Sequence, residues 1–96
     1  MQSKYTKSAR DQQCQVRLPN ICNWNPETTV FAHLSGAGLA KKHSDIHGAY
    51  CCSDCHDVLD GRNSNAPFSM TEKKIAHYEG MVRTQKIMID EGVLKL

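Results

Sequence analysis

The residues of this chain best equipped for chemistry crowd into Cys51-Cys52-Ser53-Asp54-Cys55-His56-Asp57-Val58-Leu59-Asp60-Gly61-Arg62. Cys52 and Cys55 have the Cys-x2-Cys spacing with which one tight turn aims two thiolates at one ion. His56 and Asp60 stand four apart, so on a helix they share a face. Cys55 and His56 are adjacent and would point about 100° apart on that helix. The stretch therefore offers sulfur to one metal, and an imidazole and a carboxylate to another.

Further donors lie upstream. Cys14-Gln-Val-Arg-Leu-Pro-Asn-Ile-Cys22 alternates around Val16 and Leu18 and then meets a Pro-Asn turn, which would return Cys22 toward Cys14 as half of a four-cysteine site. Cys51 is an alternative ligand, although Cys52 has the tighter spacing to Cys55. Five cysteines is an odd number, poorly suited to a disulfide framework. The first residues carry no apolar export segment and no apolar run approaches membrane length, so the expected compartment is cytoplasmic, with no membrane partner. Cysteine enrichment without export favours structural zinc over unrelated buried thiols.

These donors need elements to hold them. Thr28-Thr29-Val30-Phe31-Ala32-His33-Leu34 is β-branched and aromatic and predicts a strand with His33 near its end. Ser35 to Asp45 predicts an exposed basic loop that lacks a nucleotide-binding glycine pattern. Ile46 to Cys51 predicts a second strand, and Ser53 to Asp60 a short helix with Ser53 or Asp54 as N-cap and Gly61 as its stop. Ser69-Met-Thr-Glu72 reads as a capping box opening a helix over 69–91. Ile75, Tyr78, Val82 and Ile89, widened by Met81 and Met88, give that helix an apolar face expected to pack on the core. Lys4, Lys7 and Arg10 would form a basic stripe if the N-terminus were helical, the alternative being a solvated segment. Trp24 and Phe31 are assigned to packing, and His43 and His77 to the surface.

At 96 residues the chain is one small domain, of a size at which a structural metal helps folding. The net charge of +2 permits a nucleic-acid partner without requiring one.

The order strand with His33, loop, strand beginning near His47, helix with His56 and Asp60 resembles the HNH, or His-Me finger, endonucleases. Their ββα-metal motif places a histidine on the first strand, Asn or His before the second, and metal ligands on the helix. Tyr50-Cys51-Cys52-Ser53-Asp54-Cys55-His56 is similar to the Leu-Cys-x2-Cys-His element of the zinc-stabilised branch, with one extra cysteine. The motif covers 14–61, and the layout of nearly the whole chain resembles the small prophage-encoded nucleases of the YbcO type.

The resemblance implies an α+β fold: a small zinc-stabilised ββα-metal domain, 14–61 forming the knuckle and core, with an additional C-terminal α-helix. It implies a DNA endonuclease in which His33 is the general base, a role suited to an imidazole that titrates near neutrality. His47 would orient the base, while His56 and Asp60 hold a catalytic divalent metal, Mg²⁺ or Mn²⁺. Cys14, Cys22, Cys52 and Cys55 would hold structural Zn²⁺. DNA is the implied partner, no small-molecule cofactor is expected, and the chain is a monomer or a homodimer through its C-terminal helix. Two departures stand out. Many relatives carry Asp or His just before the base, where this chain has Ala32, leaving Asp60, Asp57, Asp45 or water to compensate. Cys14-x7-Cys22 is also wider than the usual Cys-x2-Cys.

A different class of function is a non-catalytic zinc module that binds nucleic acid or a protein. A zinc nucleobase deaminase fits poorly, since that chemistry expects a glutamate two residues after a histidine ligand and a proline before the Cys-x2-Cys pair, where Ser35 and Cys51 stand.

Overall fold

A computed structural model of the chain describes residues 4–34 and 47–94. The elements are α1 (Lys4–Ser8), a 3-10 turn (Pro26–Thr28), β1 (Val30–His33), β2 (Gly48–Cys51), α2 (Ser53–Leu59) and α3 (Met70–Asp90). The expected loop from Ser35 to Asp45, with His43, Asp45 and Ile46, lies outside the described residues.

β1 and β2 form an antiparallel pair with Val30 opposite Cys51, Phe31 opposite Tyr50, Ala32 opposite Ala49 and His33 opposite Gly48. The first strand starts later than its composition predicts. Pro26 fixes φ and Asn25 caps the turn by accepting from the Glu27 N–H, so 26–28 tighten into a 3-10 turn before extension begins.

β2 is buried at all four positions, and both of its edges are satisfied. One edge pairs with β1. On the other, the Tyr50 N–H donates to Thr84 Oγ1 at 2.9 Å and the Tyr50 carbonyl accepts from the Gln15 N–H at 2.8 Å. A buried peptide group left unpaired costs about 1–3 kcal/mol, so Thr84 and Gln15 lock the helix and the cysteine loop onto this strand. The Arg83 guanidinium donates to the Gln15 carbonyl and ties the same loop to α3.

The capping box at the start of α3 is present: Ser69 Oγ accepts from the Glu72 N–H at 3.0 Å, and Glu72 Oε1 accepts from the Ser69 N–H at 2.7 Å. Of the expected packing face only Met88 is fully buried, and the helix otherwise packs through a different row. Gly80, Thr84 and Met88, one row at i, i+4 and i+8, are buried, whereas Ile75 and Val82 are 52% and 64% exposed, and Tyr78 and Ile89 are also exposed. At 100° per residue the buried row and the row of Ile75, Tyr78, Val82 and Ile89 lie about 150° apart. Close approach to the sheet decided between them. A Cβ on Gly80 would sit 3.0 Å from Val16 Cγ2 and 3.2 Å from Ala49 Cβ, so the helix backbone rides directly on β2.

The core has two lobes. Val16, Leu18, Ala32, Ala49 and Val58 pack with the cysteines on one side, and Ala9, Phe31, Tyr50 and Met88 pack on the other. The second lobe anchors the N-terminal segment, with Ser8 Oγ hydrogen-bonded to the Tyr50 hydroxyl at 2.8 Å. α1 ends at Ser8, so Arg10 follows in a turn and is not part of a helical basic stripe. Trp24, assigned to packing, is 59% exposed.

Gly48 is the tightest point of the sheet. A Cβ there would lie 2.5 Å from Phe31 Cε2 and 2.9 Å from the Ala32 carbonyl oxygen, and the backbone atom cannot yield. Gly48→Ala is therefore expected to destabilise the fold by about 2 kcal/mol, read as a melting temperature lower by roughly 10 °C in a thermal scan.

Candidate metal centre and active site

The sulfurs of Cys14, Cys22, Cys52 and Cys55 all lie within 4.8 Å of one another, and among the described residues no other group of three or more Cys, His, Asp or Glu converges in this way. Cys22 Sγ and Cys52 Sγ are 3.9 Å apart. Four thiolates at about 2.3 Å from a tetrahedral Zn²⁺ stand about 3.8 Å from one another, so the cluster has the dimensions of a four-thiolate zinc site. No disulfide forms among the cysteines.

Local structure aims each sulfur. Cys52 is the N-cap of α2, where Ser53 or Asp54 was expected: its Sγ accepts from the Cys55 N–H at 3.4 Å. The Arg17 N–H donates to Cys14 Sγ at the same distance, with Arg17 held at φ 53°. Asn20 also takes a left-handed conformation, at φ 62°. These two turns fold the wide Cys14-x7-Cys22 segment back on itself over the buried Leu18. The seven intervening residues thus take the place of a tight knuckle, and left-handed Asn20 is the residue that permits it.

Cys51 lies against this cluster but outside the converging four. Hydrogen bonds from Cys51 and Cys55 hold the Cys14 thiol well below the usual range, while donating to Cys14 pushes Cys51 well above it. Burial pushes Cys22 up to about 12. Without a cation, so compact a group of sulfurs keeps most of its protons. A bound dication reverses that balance, because ligating thiols must be deprotonated.

Two histidines, His33 and His56, act electrostatically on a third, His77. His33 ends β1, its ring edge-on to Phe31 at 5.0 Å between centroids. His56 lies one residue beyond Cys55 on α2. His77, assigned to the surface by its position in the sequence, belongs to this neighbourhood. It is partly buried on α3, its Nε2 donates to the Ala32 carbonyl at 2.8 Å, and its pKa is lowered by burial and then by the nearby His56 and His33. Nothing in the local sequence marks it, since the signal is its spacing of three from Gly80, where the helix meets the sheet.

His47 pairs its backbone carbonyl with the Leu34 N–H at 2.8 Å, while its Nδ1 is buried without a hydrogen-bond partner. Asp60 closes α2, and its carboxylate faces Arg62, with Oδ2 3.1 Å from Nε and Oδ1 accepting from the Arg62 N–H at 3.2 Å. Asp57 also lies 3.6 Å from the same guanidinium. Ala32, at the position where a metal ligand would sit, buries its side chain in the core beside Ala49 and the cysteines. The structure thus brings the four sulfurs together and sets His33 and His56 close enough to His77 to influence it, but turns Asp60 toward Arg62.

The family described as "Putative nuclease YbcO" matches residues 3–93. The chain is 42% identical over 92 residues to "Putative nuclease YbcO" of Escherichia coli strain K12, covering 93% of this chain and 94% of that protein. It is equally similar to "Putative nuclease ybcO" of Enterobacteria phage 82. A solved structure, "Structure of a putative bacteriophage protein from Escherichia coli str. K-12 substr. MG1655", superposes with a TM-score of 0.77 at 42% identity, covering 92% of this chain and 99% of that one.

A zinc ion on the four cysteines would contribute apparent binding energy of about 10–16 kcal/mol, as large as the whole stability of an ordinary domain. Elemental analysis of freshly purified protein is expected to return about one zinc per chain, and Cys52→Ser to lose both the zinc and the cooperative thermal transition. Zinc-free protein with an unchanged transition would contradict the assignment.

Proposed function

Because the chain belongs to the YbcO family, we propose that it is a metal-dependent DNA endonuclease of the His-Me finger type, its fold held by zinc on Cys14, Cys22, Cys52 and Cys55. The observation that supports this reading is that His77 on α3 bonds the Ala32 carbonyl just before His33 and lies close enough to both His33 and His56 for them to lower its pKa. Separate supports for scaffold and chemistry are what a small nuclease needs, since the reacting groups must be held firmly while remaining open to DNA.

In this reading His33 takes the proton from the attacking water, and Phe31, packed edge-on, fixes the plane of its ring. His77 is a positioning residue: its hydrogen bond to the Ala32 carbonyl pins the backbone immediately before His33. His47 has an unused buried Nδ1 with which to orient groups at the site. His56 and Asp60 would hold a divalent metal, the donor set of one imidazole and one carboxylate suiting Mg²⁺ or Mn²⁺ completed by water and phosphate oxygens. Such a metal supplies stabilisation of charge on the phosphate. The Asp60–Arg62 pair is exposed on the arginine side and worth at most about 1 kcal/mol, so it yields readily to a stronger ligand. No helix among the described residues is long and apolar enough to cross a membrane.

A second reading, a zinc module that binds nucleic acid without cutting it, draws on the compact side of Ala32, which offers no ligand. For the oligomeric state, the chain is a monomer or a homodimer through α3, in which case the exposed row of Ile75, Tyr78, Val82 and Ile89 is the dimer face.

Wild-type protein is expected to cut DNA only with Mg²⁺ or Mn²⁺, and His33→Ala to slow cutting by about 10²–10⁴-fold while keeping its zinc and its melting temperature. If the wild type cuts neither single-stranded, duplex nor branched DNA with any divalent metal, the binding module is the correct reading. In sedimentation equilibrium, Val82→Glu is expected to shift a dimeric wild type to monomer. A wild type that sediments as a monomer at every concentration removes the dimer.

A further inference from the structure

On the α1 side of β1 lies a depression of about 230 Å³ lined by Thr6, Lys7, Arg10, Glu27, Thr29, Val30 and Phe31. Three features set it apart from ordinary surface. Lys7 and Arg10 contribute two exposed cations against the single carboxylate of Glu27, and among the described residues no ion pair neutralises either cation. Thr29 is only 6% exposed, yet its hydroxyl is buried without any hydrogen-bond partner. Buried hydroxyls are nearly always paired, and an orphan costs about as much as a lost hydrogen bond, so its persistence beside two cations points to an oxygen-rich ligand. Phe31, finally, both lines the depression and packs against the His33 ring at 5.0 Å. One aromatic ring separates it from the proposed general base.

We propose that this depression is a phosphate-binding subsite for a nucleic-acid strand, in which Lys7 and Arg10 flank a backbone phosphodiester and the Thr29 hydroxyl donates to one of its oxygens. The ligand class follows from the donors: two cations and one hydroxyl fit a phosphate and carry no sequence information. The subsite rests on the nuclease reading for its biological ligand, although its binding chemistry stands apart from cutting. A strand held here is positioned beside His33 without using His33, His56 or Asp60. The basic residues near the N-terminus thus gain a role that their spacing alone did not define, because the packing of Ala9 and Ser8 on the second core lobe brings Lys7 and Arg10 over the edge of β1.

The test uses the full chain with its zinc, in buffer free of Mg²⁺ and Mn²⁺, and follows binding of a labelled oligonucleotide as a function of salt, with inorganic phosphate as competitor. Lys7→Gln with Arg10→Gln is expected to weaken binding about tenfold or more and to lower the slope of log affinity against log salt by about 1–2. Thr29→Val is the sharper variant. Removing an orphan hydroxyl while keeping the side-chain shape should raise the melting temperature of the free protein by roughly 4 °C or more, yet weaken oligonucleotide binding by roughly tenfold. Stabilisation together with weaker binding is the signature of a ligand site and not of a structural residue. Unchanged oligonucleotide affinity in both variants overturns the proposal, as does an equal loss of salt slope in Lys86→Gln on the far helix. Weakening of inorganic phosphate binding without any effect on the oligonucleotide also overturns it, assigning the depression to a free anion. If the pocket variants bind normally while the wild type still cuts DNA, the nuclease reading stands without the subsite. If they bind weakly and the wild type cuts nothing, the subsite stands without the nuclease.

Discussion

Everything in this fold hangs from the convergence of four sulfurs that lie far apart in the chain. Cys14 and Cys22 arrive on a loop, Cys52 and Cys55 on the cap and first turn of α2, and all four lie within 4.8 Å of one another. So dense a set of thiols suits a dication, which makes four negative charges tolerable in a space where protons otherwise remain. The convergence ties the start of α2 to the cysteine loop. With two four-residue strands among the described residues and a core rich in alanine and cysteine, apolar burial alone gives this domain a modest margin.

A second constraint complements the first. β2 is the most buried element, and its outer edge is closed by groups that do not belong to any sheet: the Thr84 hydroxyl, the Gln15 peptide and, through Gln15, the Arg83 guanidinium. These polar contacts draw α3 so near the strand that a Cβ at position 80 would press against Val16 and Ala49 at 3.0 and 3.2 Å. The same closeness brings His77 onto the Ala32 carbonyl. Packing and site geometry are therefore a single arrangement, since the helix that seals the sheet also carries a histidine to the strand end where His33 lies.

On α2, Cys55 and Val58 are buried, while His56 is only partly so and acts electrostatically on His77. On the other side of β1, Phe31 links the His33 ring to the depression bordered by Lys7 and Arg10. A strand of four residues thus borders the cysteine lobe through Ala32, ends in His33 and borders a basic depression through Val30 and Phe31.

Much of this was legible in residue order. The Cys-x2-Cys spacing, the strand composition before His33, the glycine that stops α2 and the Ser69–Glu72 capping box all act over a few neighbouring residues, so local sequence determines them, and each has its counterpart in the structure. What local sequence does not encode is which side of an element meets the rest of the chain. The apolar row Ile75, Tyr78, Val82 and Ile89 has a proper helical period, yet α3 packs through Gly80, Thr84 and Met88, because close approach and a buried hydrogen bond outweigh apolar area on the other face. His77 joins the histidines for the same reason, and Asp60 turns to Arg62 because a partner two residues away is within reach of the helix end. Sequence determined the elements and the sulfur ligands through short-range spacing. Only the tertiary structure decided which face of α3 seals β2, and with it which side chains share the site, because that choice depends on contacts between residues distant in the chain.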